Sequence, residues 1–375
     1  LKNNKLHIVA FDMPHPPAYG GVIDIYYKLE ALKAEGVKII LHVFLYDGKE
    51  PSAVLNDLCE KVYYYNRRRL ANPFIGDIPY IVSTRNNDEL LRNLNKDSYP
   101  ILFEGLHTTF FLDHLDLSKR YKIVRTHNVE HIYYKALEAA ETGFFKKYFF
   151  RVESDRLARY EEKLQHANLI AAISPQEAAY YEAQFPQTLY LPAFHSNFAH
   201  SCRAGKGKFI LYHGNLGVGE NNKAALWLVH EVFSKIEFPV VIAGNNPSKQ
   251  LQQAVSSCAN VSLVGKINSD DILELVREAH INTLVTFQST GIKLKLLNSL
   301  FIGRHCVVNP EMIENTGLET LTHACSNAQE MIEQIQDLWS QEFTEALIEN
   351  RAAVLQMNFD NSKNARMLTE LLNSL

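Results

Sequence analysis

The chain has 375 residues, 46% hydrophobic and 21% charged, and its 38 Lys and Arg against 42 Asp and Glu leave a net charge of −4. That length predicts two domains, and that balance excludes a general binder of polyanions. Five cysteines at 59, 202, 258, 306 and 325 form no CxxC pair and no metal-ligand spacing, and no window resembles a transmembrane span or a signal peptide, so the expected setting is the reducing cytoplasm.

Residues 6–11 read as a buried strand, followed by a proline-rich loop ending in Gly20 and Gly21 and by an amphipathic helix over 22–35 closed by Gly36. The two glycines either serve the turn alone or let the loop hold an anion or a sugar at the helix N-terminus, and both readings are open. Further strands are expected at 37–45, 61–65 and 80–83, with Arg67, Arg68 and Arg69 as a solvated charge run. A strand over 100–103 ends in Glu104-Gly-Leu-His107, and one over 121–124 ends in Arg125-Thr-His-Asn-Val-Glu-His131. Open parallel sheets place ligands at the carboxyl ends of their strands, so His127 and Glu130 rank first as residues lining a cleft, ahead of Glu104 and His107. A metal held by His127, His131 and Glu130 is disfavoured, because they sit on a loop without a distant further ligand.

Residues 132–166 are helix-prone and contain Phe144-Phe-Lys-Lys-Tyr-Phe-Phe-Arg151. Such a segment either packs its rings on the sheet and exposes its lysines, or lies in a membrane interface where rings and lysines both find favourable positions. A strand at 168–174, a helix at 175–185 and a strand at 188–191 complete a first domain, 1–195.

Residues 195–208 are polar and without periodicity, as suits an interdomain linker. The βα pattern then restarts with a strand at 209–212, a glycine-rich loop at 213–223, a helix at 224–236, a strand at 240–243 and a helix to 257. A strand at 261–264 precedes a helix over 272–279 capped by Ser269-Asp-Asp271. Residues 283–287 form the next expected strand and 292–302 the next helix, stopped by Gly303 before a strand over 305–309. In the turn between them, Ser289 or Thr290 is the expected cap, Gly291 allows close approach to the backbone, and the free helix amides stand beside Lys293 and Lys295. This is either a phosphate site or an ordinary connection with exposed lysines. Helices over 328–338 and 362–372 close the chain. The second domain is taken as 196–355, and the last helix, within 356–375, is expected to cross back and brace the first domain. Two doubly wound α/β domains in succession imply a central cleft faced by strand ends of both.

Taken in order, Gly214-Asn215, Ala243-Gly244, Val264-Gly265 and Ser289-Thr-Gly-Ile-Lys-Leu-Lys-Leu-Leu-Asn298, with Gly303 and Val307-Val308, resemble the donor-binding domain of GT-B glycosyltransferases, in particular the large retaining group called family 4. In the N-terminal half, Gly20-Gly21 and His127-Asn-Val-Glu130 are similar to that family's glycine loop and acceptor-side histidine loop. The resemblance spans nearly the whole chain. It implies transfer of a sugar, with retention, from a UDP- or GDP-sugar to a hydroxyl of a glycan or lipid-linked acceptor, in polysaccharide or cell-envelope glycan synthesis and without a tightly bound cofactor or metal. Carried over by residue, it implies that Gly291, Ile292 and Lys293 contact the diphosphate, that Gly21 approaches it from the opposite domain, and that His127 is the catalytic residue beside the transferred sugar. Gly20, Gly214, Asn215, Lys223, Thr290, Lys295 and Asn298 complete the donor side; Glu104, His107, Asn128 and Glu130 make the acceptor side. The expected location is cytoplasmic, with no nucleic-acid partner, and contact with the inner face of the membrane through Phe144 to Arg151 stays open as the alternative reading of that segment.

There are departures. The family's two glutamates, eight positions apart, are replaced by Thr290 and Asn298, and the arginine of its first donor-domain loop is absent near Gly214 and Asn215. Asn298 can still hydrogen-bond ribose hydroxyls, and Lys223, Lys293 or Lys295 can restore the positive charge. The same replacements support a second reading, a degenerate GT-B protein that binds a nucleotide-sugar or a partner transferase without turnover. A third, a nucleotide-sugar epimerase that enlists Glu104, His107 and Glu130 for proton transfer, fits the residues around Gly303 less well.

Overall fold

Apolar runs without alternation, such as Leu6 to Ala10 and Ile101 to Phe103, are the pattern of parallel strands covered on both faces, and the computed structural model of the chain builds two such sheets. It describes residues 4–17, 20–46, 48–68, 72–74, 76–141, 143–196, 201–287, 293–314 and 316–374. The described residues of 1–195 and 359–375 form one compact unit, and those of 196–358 form another.

The first unit runs β1 (Lys5–Ala10), α1 (Gly20–Ala34), β2 (Lys38–Leu45), α2 (Ala53–Leu58), β3 (Lys61–Asn66), α3 (Tyr80–Ser83), α4 (Asp88–Leu94), β4 (Ile101–Glu104), β5 (Lys122–Thr126), α5 (Glu130–Ala140), α6 (Phe144–Tyr160), β6 (Leu169–Ala172), α7 (Pro175–Glu182) and β7 (Thr188–Tyr190). Its seven strands are ordered β3-β2-β1-β4-β5-β6-β7, all parallel. The chain therefore winds away from β1 in both directions, and the switch point lies between β1 and β4. Open α/β sheets bind ligands at such a point, at the carboxyl ends of the strands.

The second unit repeats the plan with β8 (Ile210–His213), α8 (Gly219–Glu231), β9 (Val240–Ala243), α9 (Lys249–Ser256), β10 (Val261–Val264), α10 (Ser269–Glu278), β11 (Ile281–Leu284), α11 (Leu294–Ile302), β12 (His305–Val308), α12 (Pro310–Ile313), β13 (His323–Ala324), α13 (Ala328–Ser340) and α14 (Glu345–Asn358). The strand order is β10-β9-β8-β11-β12-β13, which puts this switch point between β8 and β11. The last helix, α15 (Asn361–Asn373), belongs to the first unit. Its Ala365, Leu368 and Leu372 join the core that α1 makes with β1 and β2.

Several expected elements differ. Residues 80–83 are the short helix α3, not a strand: Pro79 sits at its N-cap position, where its fixed φ suits helix entry, and Ile81 and Val82 are buried from it. Gly20 and Gly21 lie in the first turn of α1 and not in the loop before it. The helical stretch 132–166 is a hairpin, because Glu141 is extended and α6 restarts after Gly143. Asn268, not Ser269, caps α10 by accepting from the Asp271 amide at 2.9 Å. Helix α11 starts at Leu294 with Lys293 in the N-cap position, which overturns Ser289 or Thr290 as its cap; the turn 288–291 lies outside the described residues. Gly303 ends α11 with an ordinary φ of −93°, so it is not needed for a left-handed cap. A Cβ there would lie 2.5 Å from Asn282 Nδ2 and 2.7 Å from the Ser299 carbonyl, so close packing demands glycine.

Candidate functional site

Five charged or titratable side chains converge at the switch point of the first sheet. Asp24 and Lys28 are one turn apart on the buried face of α1, Glu104 ends β4, Arg125 lies within β5, and His127 follows it. Lys28 Nζ donates to Asp24 Oδ2 at 2.9 Å and to Glu104 Oε1 at 2.7 Å. Arg125 donates to Asp24 through Nη2 at 2.9 Å and Nε at 3.2 Å, and the Phe194 amide adds a bond to Asp24 Oδ1 at 2.8 Å. Burial pushes both carboxyls up, but Arg125 and Lys28 beside Asp24, and Lys28 and His127 beside Glu104, outweigh it and hold both below the ordinary carboxylate range. Glu104 is therefore an ionised acceptor, and His127 must donate to it from Nε2, at 2.9 Å. His127 Nδ1 is buried, 3.9 Å from Asp24 Oδ2 and without a hydrogen bond. Both ring nitrogens are thus turned into the network. Asp24, Glu104 and His127 bring ligand-type atoms within 4.8 Å of one another, but the Lys28 ammonium already fills the place of a cation between the carboxylates.

A second pair lies beside it. His107, just past β4, stacks on the Phe11 ring at 4.9 Å, and His127 meets the same ring edge-on at 5.4 Å. A Cβ on Gly21 would come within 2.6 Å of Phe11, so glycine lets α1 begin against this ring. Burial and then Arg85 hold His107 well below the ordinary imidazole value, so it is neutral. Its Nδ1 stands 3.8 Å from Glu130 Oε1, on the first turn of α5. Burial, reinforced by Glu177, pushes Glu130 up to about 8. Neighbouring Asn128 is half-buried and hydrogen-bonds Glu130 with its side chain, while its carbonyl accepts from Tyr181 at 3.2 Å. His131, by contrast, turns away to Glu161 at 3.3 Å.

At the switch point of the second sheet the charges are fewer and more basic. The Gly214 amide bonds the Ala243 carbonyl at 3.1 Å, and Asn215 holds its own loop by accepting from Gly217 and Asn221, each at 3.1 Å. Both therefore shape the turn. Lys295, on the first turn of α11, donates to Asn221 Oδ1 at 3.3 Å and stands 5.6 Å from the centre of the Tyr212 ring. Burial pushes it down to about 8 against the pull of Glu220, and Lys293 pushes the same way as burial. Lys223 lies over the Phe287 ring at 4.9 Å, and Asn298 is one turn beyond Lys295. Glu220 is tied to the Thr286 hydroxyl and accepts from the Phe287 amide at 3.3 Å. Thr290, Gly291 and Ile292 lie outside the described residues.

Sequence reasoning missed Asp24, Lys28, Arg125 and Glu220. A signal for the first three was available: Asp24 and Lys28 interrupt the apolar face formed by Val22, Ile25 and Leu29, and Arg125 sits inside a strand buried at every position. Ionic groups in such places must pair.

No family model matches the sequence. A Klebsiella pneumoniae protein, described as an uncharacterized 44.6 kDa protein in the cps region, is 26% identical over 321 residues, covering 79% of this chain and 80% of that one. Among solved structures, Anabaena HepE in complex with UDP-glucose superposes with a TM-score of 0.66 and 12% identity over 99% of this chain and 100% of that one. The lipopolysaccharide outer core galactosyltransferase WaaB, in its apo form, gives 0.64 and 10% over 99% and 100%. This is the GT-B fold. At these identities the GT-B likeness is one of fold, and no helix among the described residues is long and apolar enough to cross a membrane.

Proposed function

We propose that this GT-B protein moves a sugar from a nucleotide-diphosphate sugar to a hydroxyl acceptor with retention of configuration, in polysaccharide or cell-envelope glycan synthesis. The observation that carries the reading is the basic cluster at the second switch point: Lys295, desolvated on the first turn of α11 and held by Asn221 and the Tyr212 ring, with Lys293 at the N-cap position and Lys223 over the Phe287 ring. A diphosphate is the ligand charge that suits such a cluster. Lys293 and Lys295, with the amides of Gly291 and Ile292, would stabilise the charge that develops on it as the anomeric C–O bond breaks. Asn298 would take the ribose hydroxyls. HepE has been crystallised with UDP-glucose, which makes UDP-sugars the first donors to try; the role in polysaccharide synthesis draws on WaaB, described as a lipopolysaccharide galactosyltransferase.

On the acceptor side, His127 is our catalytic residue beside the sugar. With Nε2 committed to Glu104, it serves by placing a fixed, polarised ring there and not by carrying a proton away. His107, neutral and only partly buried, would receive the acceptor hydroxyl, with Glu130 and Asn128 behind it. A second reading, binding without turnover, is favoured by the same inward-facing nitrogens of His127 and by Thr290 and Asn298 in place of glutamates. Thermal melting against UDP, GDP, ADP and their sugar conjugates tests the donor site, because a ligand at a hundredfold excess over its Kd adds about 2.7 kcal/mol of stability. One nucleotide should stabilise the parent and not Lys293→Ala; equal stabilisation of both removes the diphosphate assignment. Release of that nucleotide from its sugar conjugate on adding acceptor glycans decides for transfer over mere binding.

A further inference from the structure

The hairpin of α5 and α6 ends in apolar rings that the described residues of its own unit leave exposed. Phe144 and Phe145 open α6 with 77% and 85% of their surface exposed, and Tyr148, one turn on, is 51% exposed. Phe74 continues the patch, its ring 5.5 Å from that of Tyr148. An isolated exposed phenylalanine needs no explanation; two adjacent ones at a hairpin tip, continuous with two further rings, form the kind of patch that marks an interaction surface.

The charges around the rings select the occupant. Lys146 is paired with Glu141 at 2.8 Å and Lys135 with Glu138 at 3.0 Å, so these four cancel. Lys147 and Arg151 make no ion pair among the described residues, and both are exposed. At spacings of three, four and seven from Phe144, Lys147, Tyr148 and Arg151 share one helical face with it. The tip thus carries rings and a net +2 together. A second copy of the chain is the poorer fit. A two-fold contact would set this basic patch against itself, and four exposed rings fall well short of the 20–30 residues a side of an ordinary stable interface.

We infer that the α5–α6 tip is a membrane-docking element for an anionic lipid surface. Phe144 and Phe145 enter the boundary between headgroups and acyl chains, Tyr148 and Phe74 lie at headgroup level, and Lys147 and Arg151 face lipid phosphates. The hairpin lies on the bilayer and does not span it. Docking would bring a lipid-borne hydroxyl acceptor to the protein, while the donor arrives from solution.

Flotation of the full chain with vesicles of phosphatidylcholine alone, or of phosphatidylcholine with phosphatidylglycerol, tests this. The parent should float with the anionic vesicles, less so at high salt, and stay behind with the neutral ones. Phe144→Ser with Phe145→Ser should lose binding by roughly tenfold or more per ring. Lys147→Glu with Arg151→Glu should lose more than the roughly fivefold per residue that neutralisation alone costs. Unchanged melting temperatures would show that both variants are folded, as their exposure leads one to expect. A parent that ignores anionic vesicles, a double serine variant that floats equally well, or light scattering that shows a dimer converted to monomer by the serine changes would each overturn the proposal. Lys293→Ala should float like the parent, which separates failure here from failure of the donor site.

Discussion

The two switch points use charge in opposite ways. In the first unit, two carboxylates and two cations meet within hydrogen-bond distance, formally neutral and closed on themselves: Asp24 and Glu104 share Lys28, and Asp24 also takes Arg125. In the second, Lys295 has Asn221 and a tyrosine ring for company, while the nearby carboxylate of Glu220 is spent on Thr286 and Phe287. A charge already neutralised at short range holds a fold together. One that is desolvated with only polar and aromatic company can take up a ligand's charge, and burial holds Lys295 down to about 8 despite Glu220.

The largest effect expected from this contrast is on stability. Asp24→Ala leaves Arg125 in a dry site with backbone carbonyls but no carboxylate, and Lys28 with Glu104 alone, and breaking a buried pair in this way costs about 3–5 kcal/mol. Urea denaturation should show it as a lowered midpoint. A loss below about 1 kcal/mol would mean that water reaches the network and that the contrast is false. The next effect has the opposite character. Lys295→Met removes a poorly solvated cation, so it should leave stability unchanged or raise it, yet weaken nucleotide binding about tenfold to hundredfold, the worth of one charge-assisted hydrogen bond of about 1.5–3 kcal/mol. The sign in pH follows. With its folded value near 8 and its ordinary value 10.5, Lys295 costs stability below about pH 8, and that cost is relieved as the pH rises toward 10.5. The methionine variant should lose that rise.

How much of this was legible in the sequence varied with the physics involved. Strands buried on both faces announce themselves, and β1, β2, β4, β5 and β12 were readable as apolar runs. The four-residue helix α3 was not, since Tyr-Ile-Val-Ser is β-prone and only its packing decides. Helix α14 escaped because Leu347, Ile348, Val354 and Leu355 are spread around it and only Leu355 and Arg351 are buried. In the candidate site, Glu104, His107, His127 and Glu130 could be singled out because they end or follow strands. Asp24 and Lys28 were passed over because an i, i+4 acid–base pair on a helix looks like solvated decoration until the face it occupies is known. Even for His127, position was readable and direction was not: which way its nitrogens turn depends on Glu104, 23 residues away.

The pair formed by His107 and Glu130 sharpens the comparison by titrating in the reverse sense to Lys295. Burial and then Glu177 raise Glu130 to about 8 from an ordinary 4.5, so between those values the folded protein keeps a proton that the unfolded chain has released. Its contribution to stability is complete below about pH 4.5 and is lost as the pH rises through 8. Glu130→Gln keeps a neutral, hydrogen-bonding group of nearly the same shape and cannot ionise. Its melting temperature should therefore decline less than the parent's between about pH 5 and 8 and exceed it by a few degrees above pH 8, at about 2–4 °C per kcal/mol for a unit of this size. If the two curves stay parallel, Glu130 ionises without penalty, the site beside His107 is wet, and the contrast with the desolvated Lys295 runs the other way.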